Sequence, residues 1–89
     1  MRAIVTVTGA DKVGIIAMVS TLLSSCQVNI LDLSQTVMQE FFTMVMLVDI
    51  GNCTLPFDEL ADMLAREGEK FALSIRIQRE DIFNAMHRI

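Results

Sequence analysis

The fold is decided near the N-terminus by residues 3–26, which read AIVTVTGADKVGIIAMVSTLLSSC. Residues 3–8 are rich in β-branched side chains, which favour a pleated strand. Gly9 interrupts this pattern, and from Gly14 to the end of the stretch apolar side chains recur at helical spacing. Asp11 is predicted to be the N-cap of the helix, because its carboxylate can accept hydrogen bonds from first-turn amides. The stretch therefore predicts a strand, a short loop and an amphipathic helix.

The rest of the chain repeats this alternation of strands and helices. Further strands are predicted over residues 29–37, 41–50 and 71–77, and helices after Pro56, with Gly68 as C-terminal cap, and over residues 80–89. The order β-α-β-β-α-β is that of an α+β, ferredoxin-like fold. Right-handed crossovers would place two helices on one face of a four-stranded antiparallel sheet, followed by a short C-terminal helix. We expect a single domain over residues 1–89, with residues 80–89 as a helical tail.

The composition excludes several classes of protein. Hydrophobic residues make up 53% of the 89 residues and the net charge is −4, which excludes intrinsic disorder and predicts no binding of nucleic acid or of an anionic membrane. No apolar run approaches the ~18 residues of a membrane span, and the N-terminus lacks a signal-peptide pattern. These features predict a cytoplasmic protein. The bare sheet face and the apolar residues on both faces of the third strand predict a homodimer or a higher homo-oligomer.

The residues that usually carry catalysis are sparse. His87 is the only histidine, and no serine or cysteine has a matched base near it in sequence. Cys26 and Cys53 are too far apart for a Cys-x-x-Cys pair and are predicted to be free thiols. We therefore expect no enzymatic activity, no metal site and no cofactor.

Two segments near the N-terminus resemble the ACT domain, a small regulatory module that binds amino acids. These segments are VTGADKVGI at residues 7–15 and Val28-Asn29-Ile30 after the first helix. Residues 32–36, 42–46 and 79–89 are similar to stand-alone ACT proteins that are related to the glycine-cleavage-system repressor. The resemblance implies subunits that pair through strands or helices, with the effector bound at their interface.

The resemblance also implies which residues bind the ligand. The site would combine the first β-α loop of one chain with the start of the second strand of its neighbour. In this sequence the positions are Gly9, Asp11, Lys12, Val13, Gly14, Ile15, Asn29 and Ile30. The loop reads Asp11-Lys12-Val13-Gly14, whereas the family more often has Asp-Arg-Pro-Gly.

The residue types alone leave two interpretations open at three of these positions. Asp11 would hold the α-ammonium group of a ligand, or it would only cap the helix. Gly14 would let a ligand approach the backbone closely, or it would only help the helix to pack on the sheet. Asn29 would offer its amide to a ligand, or it would only end the turn before the second strand.

Two functions of different classes are predicted. The first is a homodimer that senses an amino acid or a similar small metabolite between its subunits and passes its state to a protein partner in trans. The second is a ligand-free protein–protein interaction module that acts through the open sheet face and the C-terminal helix.

Overall fold

Four strands and two helices follow one another in the predicted order. The computed structural model describes residues 1–10 and 14–82. The elements are β1 (Arg2–Ala10), α1 (Ile15–Ser25), β2 (Asn29–Met38), β3 (Phe41–Asp49), α2 (Phe57–Glu69) and β4 (Ser74–Arg79). The predicted ferredoxin-like fold is confirmed.

The four strands form one antiparallel sheet in the order β2-β3-β1-β4. The central strands β1 and β3 pair along their whole length, from Arg2 opposite Asp49 to Ala10 opposite Phe41. The strands β2 and β4 are therefore the two edges of the sheet. A β-bulge interrupts the pairing of β2 with β3 between Ile30 and Asp32.

The hydrophobic core lies between one face of the sheet and the two helices. Alternate residues of β1, β3 and β4 are buried against Ile15, Val19 and Leu23 of α1 and against Leu60 and Leu64 of α2. The buried strand residues are Ala3, Val5, Val7, Phe42, Met44, Met46, Val48, Ile75 and Ile77. Because strand side chains alternate between faces, the intervening residues form the opposite, open face of the sheet.

The open face carries apolar side chains along β3. Phe41 is 63% exposed and Val45 is 37% exposed, and Leu47 on the same face is half-buried. The corresponding residues of β4 are Ser74, Arg76 and Gln78. The open face is therefore apolar along β3 and polar along β4.

Two predictions around α2 were wrong. Gly68 is not a left-handed C-cap; it lies inside α2 and is buried. A Cβ at this position would lie 2.9 Å from both Ile75 Cγ1 and the carbonyl oxygen of Leu73, so the glycine allows α2 to pack closely on β4. The last strand, predicted to begin at Phe71, begins at Ser74 instead. Phe71 lies before it in a turn, with 47% of its surface exposed.

The predicted C-terminal helix begins at residues 80–82. Its start is attached to β1 by Arg2, whose Nε lies 3.0 Å from Glu80 Oε1 and whose Nη2 lies 2.6 Å from Glu80 Oε2. Residues 83–89, including His87, lie outside the described part of the chain. Within the described part, neither helix is long and apolar enough to cross a membrane.

Candidate functional site

A cavity of about 610 Å³ lies at the N-terminal end of α1, within the ~300–1,000 Å³ range of small-molecule sites. Its lining comes from the first turn of α1 and from β2 and β3. The lining residues are Gly14, Ile15, Ile16, Ala17, Gln35, Val37 and Phe42. Among the described lining residues, the side chains are therefore apolar except for the amide of Gln35, and the first turn of α1 lies at one end.

Residues of the first turn of α1 line one end of the cavity. The first hydrogen bond of the helix runs from Met18 N–H to the Gly14 carbonyl oxygen, at 2.9 Å. The N–H groups of Ile15, Ile16 and Ala17 precede this bond and have no partner within the helix. Such groups favour an anion such as a carboxylate.

The N-cap of α1 is Gly14, so the prediction of an N-cap at Asp11 was wrong. Gly14 has φ +88° in the left-handed region, and no side chain of the described residues caps the helix. A Cβ at this position would meet no atom within 4 Å. The glycine is therefore required by its backbone conformation and leaves open space beside the first turn.

The first turns of the two helices differ in charge. The first turn of α2 contains Asp58 and Glu59, whereas that of α1 contains no acidic residue. Carboxylates are favourable near a helix N-terminus, where the helix dipole is positive. The side chains of α1's own first turn thus leave that end uncompensated, which suits an anionic ligand.

Among the described residues, Gln35 is the one with a polar side chain on the cavity wall, and sequence reasoning missed it. Its partner across the strands is the buried Met44, so Gln35 lies on the face of β2 that carries the helices. Its neighbours on that face are Leu33 and Val37. The period-2 pattern of the strand places Gln35 between two apolar residues of the same face, and this interruption is visible in the sequence.

The structure brings only some of the predicted site residues together. Gly14 and Ile15 line the cavity. Gly9 lies opposite Phe42 in the sheet but does not line the cavity, and a Cβ on Gly9 would lie 2.6 Å from Leu73 Cδ2. Gly9 therefore serves the packing of β1 against the start of β4.

Asn29 and Ile30 lie at the other end of the same subunit. Asn29 pairs with Asp49, whereas the loop that precedes α1 follows Ala10, which pairs with Phe41. The rise per strand residue puts these ends roughly 25 Å apart, so one chain cannot bring both groups to one small ligand. Asp11, Lys12 and Val13 lie outside the described residues.

The edge strand β2 is unprotected on its outer side. It is ten residues long, includes neither proline nor lysine nor arginine, and exposes Leu31, Val37 and Met38. The other edge, β4, has six residues and includes Arg76 and Arg79. The one charged residue of β2 is Asp32. Long edge strands without basic residues or proline pair more readily with another strand than short edges that carry basic side chains. The free edge of β2 is thus the better surface for a second copy of the chain.

A carboxyl with a lowered pKa, that of Asp49, lies far from the cavity. Asp49 accepts a hydrogen bond from Gly51 N–H at 2.8 Å and lies 3.5 Å from the Met1 ammonium group. The backbone hydrogen bond and the nearby positive charge lower the pKa of the Asp49 carboxyl. Among the described residues, no three His, Cys, Asp or Glu side chains are grouped to hold a metal ion.

Comparisons with known proteins agree with this architecture. The sequence pattern of the ACT domain matches residues 2–78. A UPF0237 protein of Clostridium acetobutylicum is 53% identical over 89 residues, covering all of both chains. The structure of an ACT domain protein from Streptococcus pneumoniae superposes with a TM-score of 0.83 at 40% identity, covering 98% of each chain.

A putative glycine cleavage system transcriptional repressor shares the fold. It superposes with a TM-score of 0.73 at 24% identity over 88% of this chain and 44% of that chain. The ACT domain is in general a small regulatory module that binds small molecules. The chain belongs to the ACT domain family.

Proposed function

We propose that this protein is a non-catalytic homodimer that senses a free α-amino acid or a similar small zwitterion. The observation that carries the proposal is the cavity at the N-terminal end of α1, with the first-turn amides of the helix at one end and apolar walls. The ligand carboxylate would accept hydrogen bonds from these amides. The ligand side chain would lie against Val37 and Phe42.

The α-ammonium group of the ligand needs an acceptor as well. The side-chain oxygen of Gln35 is one candidate on the cavity wall. The carboxylate of Asp11 is the other, as the family resemblance implies. A carboxylate and an amide oxygen together would select a zwitterion over a simple carboxylic acid.

The second subunit would complete the site through β2. If the free edges of two β2 strands pair antiparallel about a two-fold axis, the start of one strand lies beside the end of the other. Asn29 and Ile30 of the partner subunit would then lie next to Val37, at the mouth of the cavity. The same pairing would cover the exposed side chains of Leu31 and Met38.

Regulation would follow from the position of the ligand between two chains. A ligand shifts an equilibrium only by its difference in affinity for the two states. A molecule that contacts α1 of one subunit and β2 of the other binds the paired arrangement more tightly. The ligand state would then be passed to a protein partner in trans, which recognises that arrangement.

A thermal-shift screen of the purified protein against the twenty amino acids tests the proposal. A ligand at ~100 times its dissociation constant stabilises the folded state by ~2.7 kcal/mol, so one amino acid or a few related ones should raise the melting temperature. Ile16→Glu should abolish the shift, because it places a carboxylate beside the first-turn amides. A glutamate there is favourable for the helix itself.

Thr21→Glu is the matched control, since Thr21 is exposed on the same helix and does not line this cavity. It should keep the wild-type response. A flat screen, or an equal response in the Ile16→Glu protein, would contradict the proposed site.

The open sheet face favours a second candidate, a ligand-free protein-docking module. The exposed side chains of Phe41 and Val45 on this face and of Ile82 at the start of the terminal helix support it. If it is correct, Val45→Lys and deletion of residues 80–89 should each abolish capture of a co-purifying protein, while the amino-acid screen stays flat. Full recovery of the partner with both variants would contradict this candidate.

A further inference from the structure

The two cysteines of the chain lie far apart in sequence and close together in the fold. Cys26 is the C-cap of α1, and its carbonyl oxygen accepts a hydrogen bond from Thr54 N–H at 3.1 Å. In a trans peptide the N–H lies on the same side as the preceding Cα, which here belongs to Cys53. The standard backbone dimensions therefore place the Cα atoms of Cys26 and Cys53 about 5–6 Å apart.

This separation is suitable for a disulfide. Disulfides join Cα atoms that are ~4.4–6.8 Å apart, most often ~5.5–6 Å. Cys26 belongs to the hydrophobic core, and the half-buried Cys53 packs against that core. Both are free thiols in the structure. We propose that Cys26 and Cys53 form a reversible intramolecular disulfide by exchange with a low-molecular-weight disulfide such as oxidised glutathione.

The exchange proceeds in two balanced steps. The Cys53 thiolate, the more accessible of the two, attacks one sulfur of oxidised glutathione, forms a mixed disulfide and releases one glutathione thiolate. The Cys26 thiolate then attacks the sulfur of Cys53, forms the Cys26–Cys53 bond and releases the second glutathione thiolate. The two protein thiols are oxidised to the disulfide, the two protons that they lose are taken up by the two released glutathione thiolates, and one oxidised glutathione is thereby reduced to two molecules of glutathione.

The disulfide would add a covalent link between two parts of the fold that are joined by the hydrogen bond from Thr54 N–H to the Cys26 carbonyl oxygen. It would tie the C-terminal end of α1 to the segment that connects β3 with α2. The opposite end of α1 lines the cavity. The disulfide is independent of the proposed ligand, because neither cysteine lines the cavity.

Equilibration of the protein in glutathione buffers of increasing oxidised fraction, followed by acid quenching and intact-mass measurement, tests this proposal. We expect the loss of two hydrogens without a glutathione adduct, with both thiols disappearing in one transition. The oxidised monomer should regain both thiols on reduction. A stable glutathione adduct on the wild-type protein, disulfide-linked dimers on a non-reducing gel, or unreacted thiols at the most oxidising ratio would each overturn the proposal.

Two single variants identify the roles of the two thiols. Cys26→Ala should accumulate a stable mixed disulfide at Cys53, because the resolving thiol is missing. Cys53→Ser should leave the buried Cys26 unreacted in the folded protein. Cys53 lies in a connecting segment outside the helices and strands, so this second variant keeps the test valid even if the core substitution at Cys26 impairs folding. Equal adduct formation in both variants would contradict the assigned order of attack.

Discussion

Single residues show why the same amino acid can serve different purposes in one small chain. Gly14 is needed for a left-handed backbone and has open space around it. Gly68 is needed because a side chain would collide with β4. The sequence pattern predicts a special role for both positions. The sequence pattern cannot distinguish a left-handed backbone from a close contact. The contact at Gly68 is between α2 and the chain at β4, and it exists only in the folded protein.

The substitution Gly68→Ala should destabilise the protein by about 1–3 kcal/mol, the usual cost of overpacking a core. The added Cβ would lie 2.9 Å from the backbone oxygen of Leu73, which cannot move away as a flexible side chain can. Urea denaturation measures the change in the free energy of unfolding. Glu69→Ala, at the adjacent exposed position of α2, should change it by less than about 0.5 kcal/mol. If the two variants were equally stable, α2 could move away from β4 at no cost, which would contradict the close packing inferred at Gly68.

Asp49 should give the protein an acid-sensitive contribution to stability. Its folded pKa lies below its ordinary value because of the Gly51 N–H and the Met1 ammonium group. The contribution is therefore complete at a pH above the unfolded pKa and disappears as the pH falls through the folded pKa. Melting temperatures measured from pH 6 down to pH 2 should fall more steeply for the wild type than for Asp49→Asn. If the melting temperatures of the two proteins fell in parallel with pH, the acid-sensitive contribution assigned to Asp49 would be contradicted.

At the scale of elements, the order of strands and helices was predictable and their ends were less so. The alternation in residues 3–8 and the helical spacing after Gly14 come from local physics, so they are readable in the sequence. The start of β4 was misplaced because Phe71 continues the alternating pattern, yet the chain turns at Ala72, which has φ +57°. A non-glycine residue in that conformation is uncommon, and local pattern gives no warning of it.

The two edge strands should respond differently to charge. Ser34 and Ser74 are both exposed, both lie on the open face, and each belongs to an edge strand. Ser34 lies near the middle of β2, so Ser34→Lys would place two lysines close together across an antiparallel β2 pair, where like charges are destabilising. Sedimentation equilibrium should show a monomer for Ser34→Lys and a dimer for Ser74→Lys. A dimer in both cases would exclude pairing through β2.

At the scale of the whole molecule, the candidate site is where sequence reasoning was least complete. Gly14 and Ile15 were predicted from the family resemblance and line the cavity. Gln35 interrupts the alternating apolar series of β2 in the sequence, but that this series faces the helices follows only from the register of β2 against β3. Asn29 lies at the far end of the sheet, so its predicted role requires a second subunit. If the site is shared between two chains, as we propose, one chain holds only part of its geometry.

The central claim is that the ligand site is complete only in the dimer. Its most direct test is calorimetric titration of the wild type, Ser34→Lys and Ser74→Lys with the amino acid that gives the largest thermal shift. Ser34 does not line the cavity, so its substitution affects binding only through the pairing of subunits. We expect binding to the wild type and to Ser74→Lys, and none to monomeric Ser34→Lys. A monomer that binds the amino acid with wild-type affinity would contradict the claim.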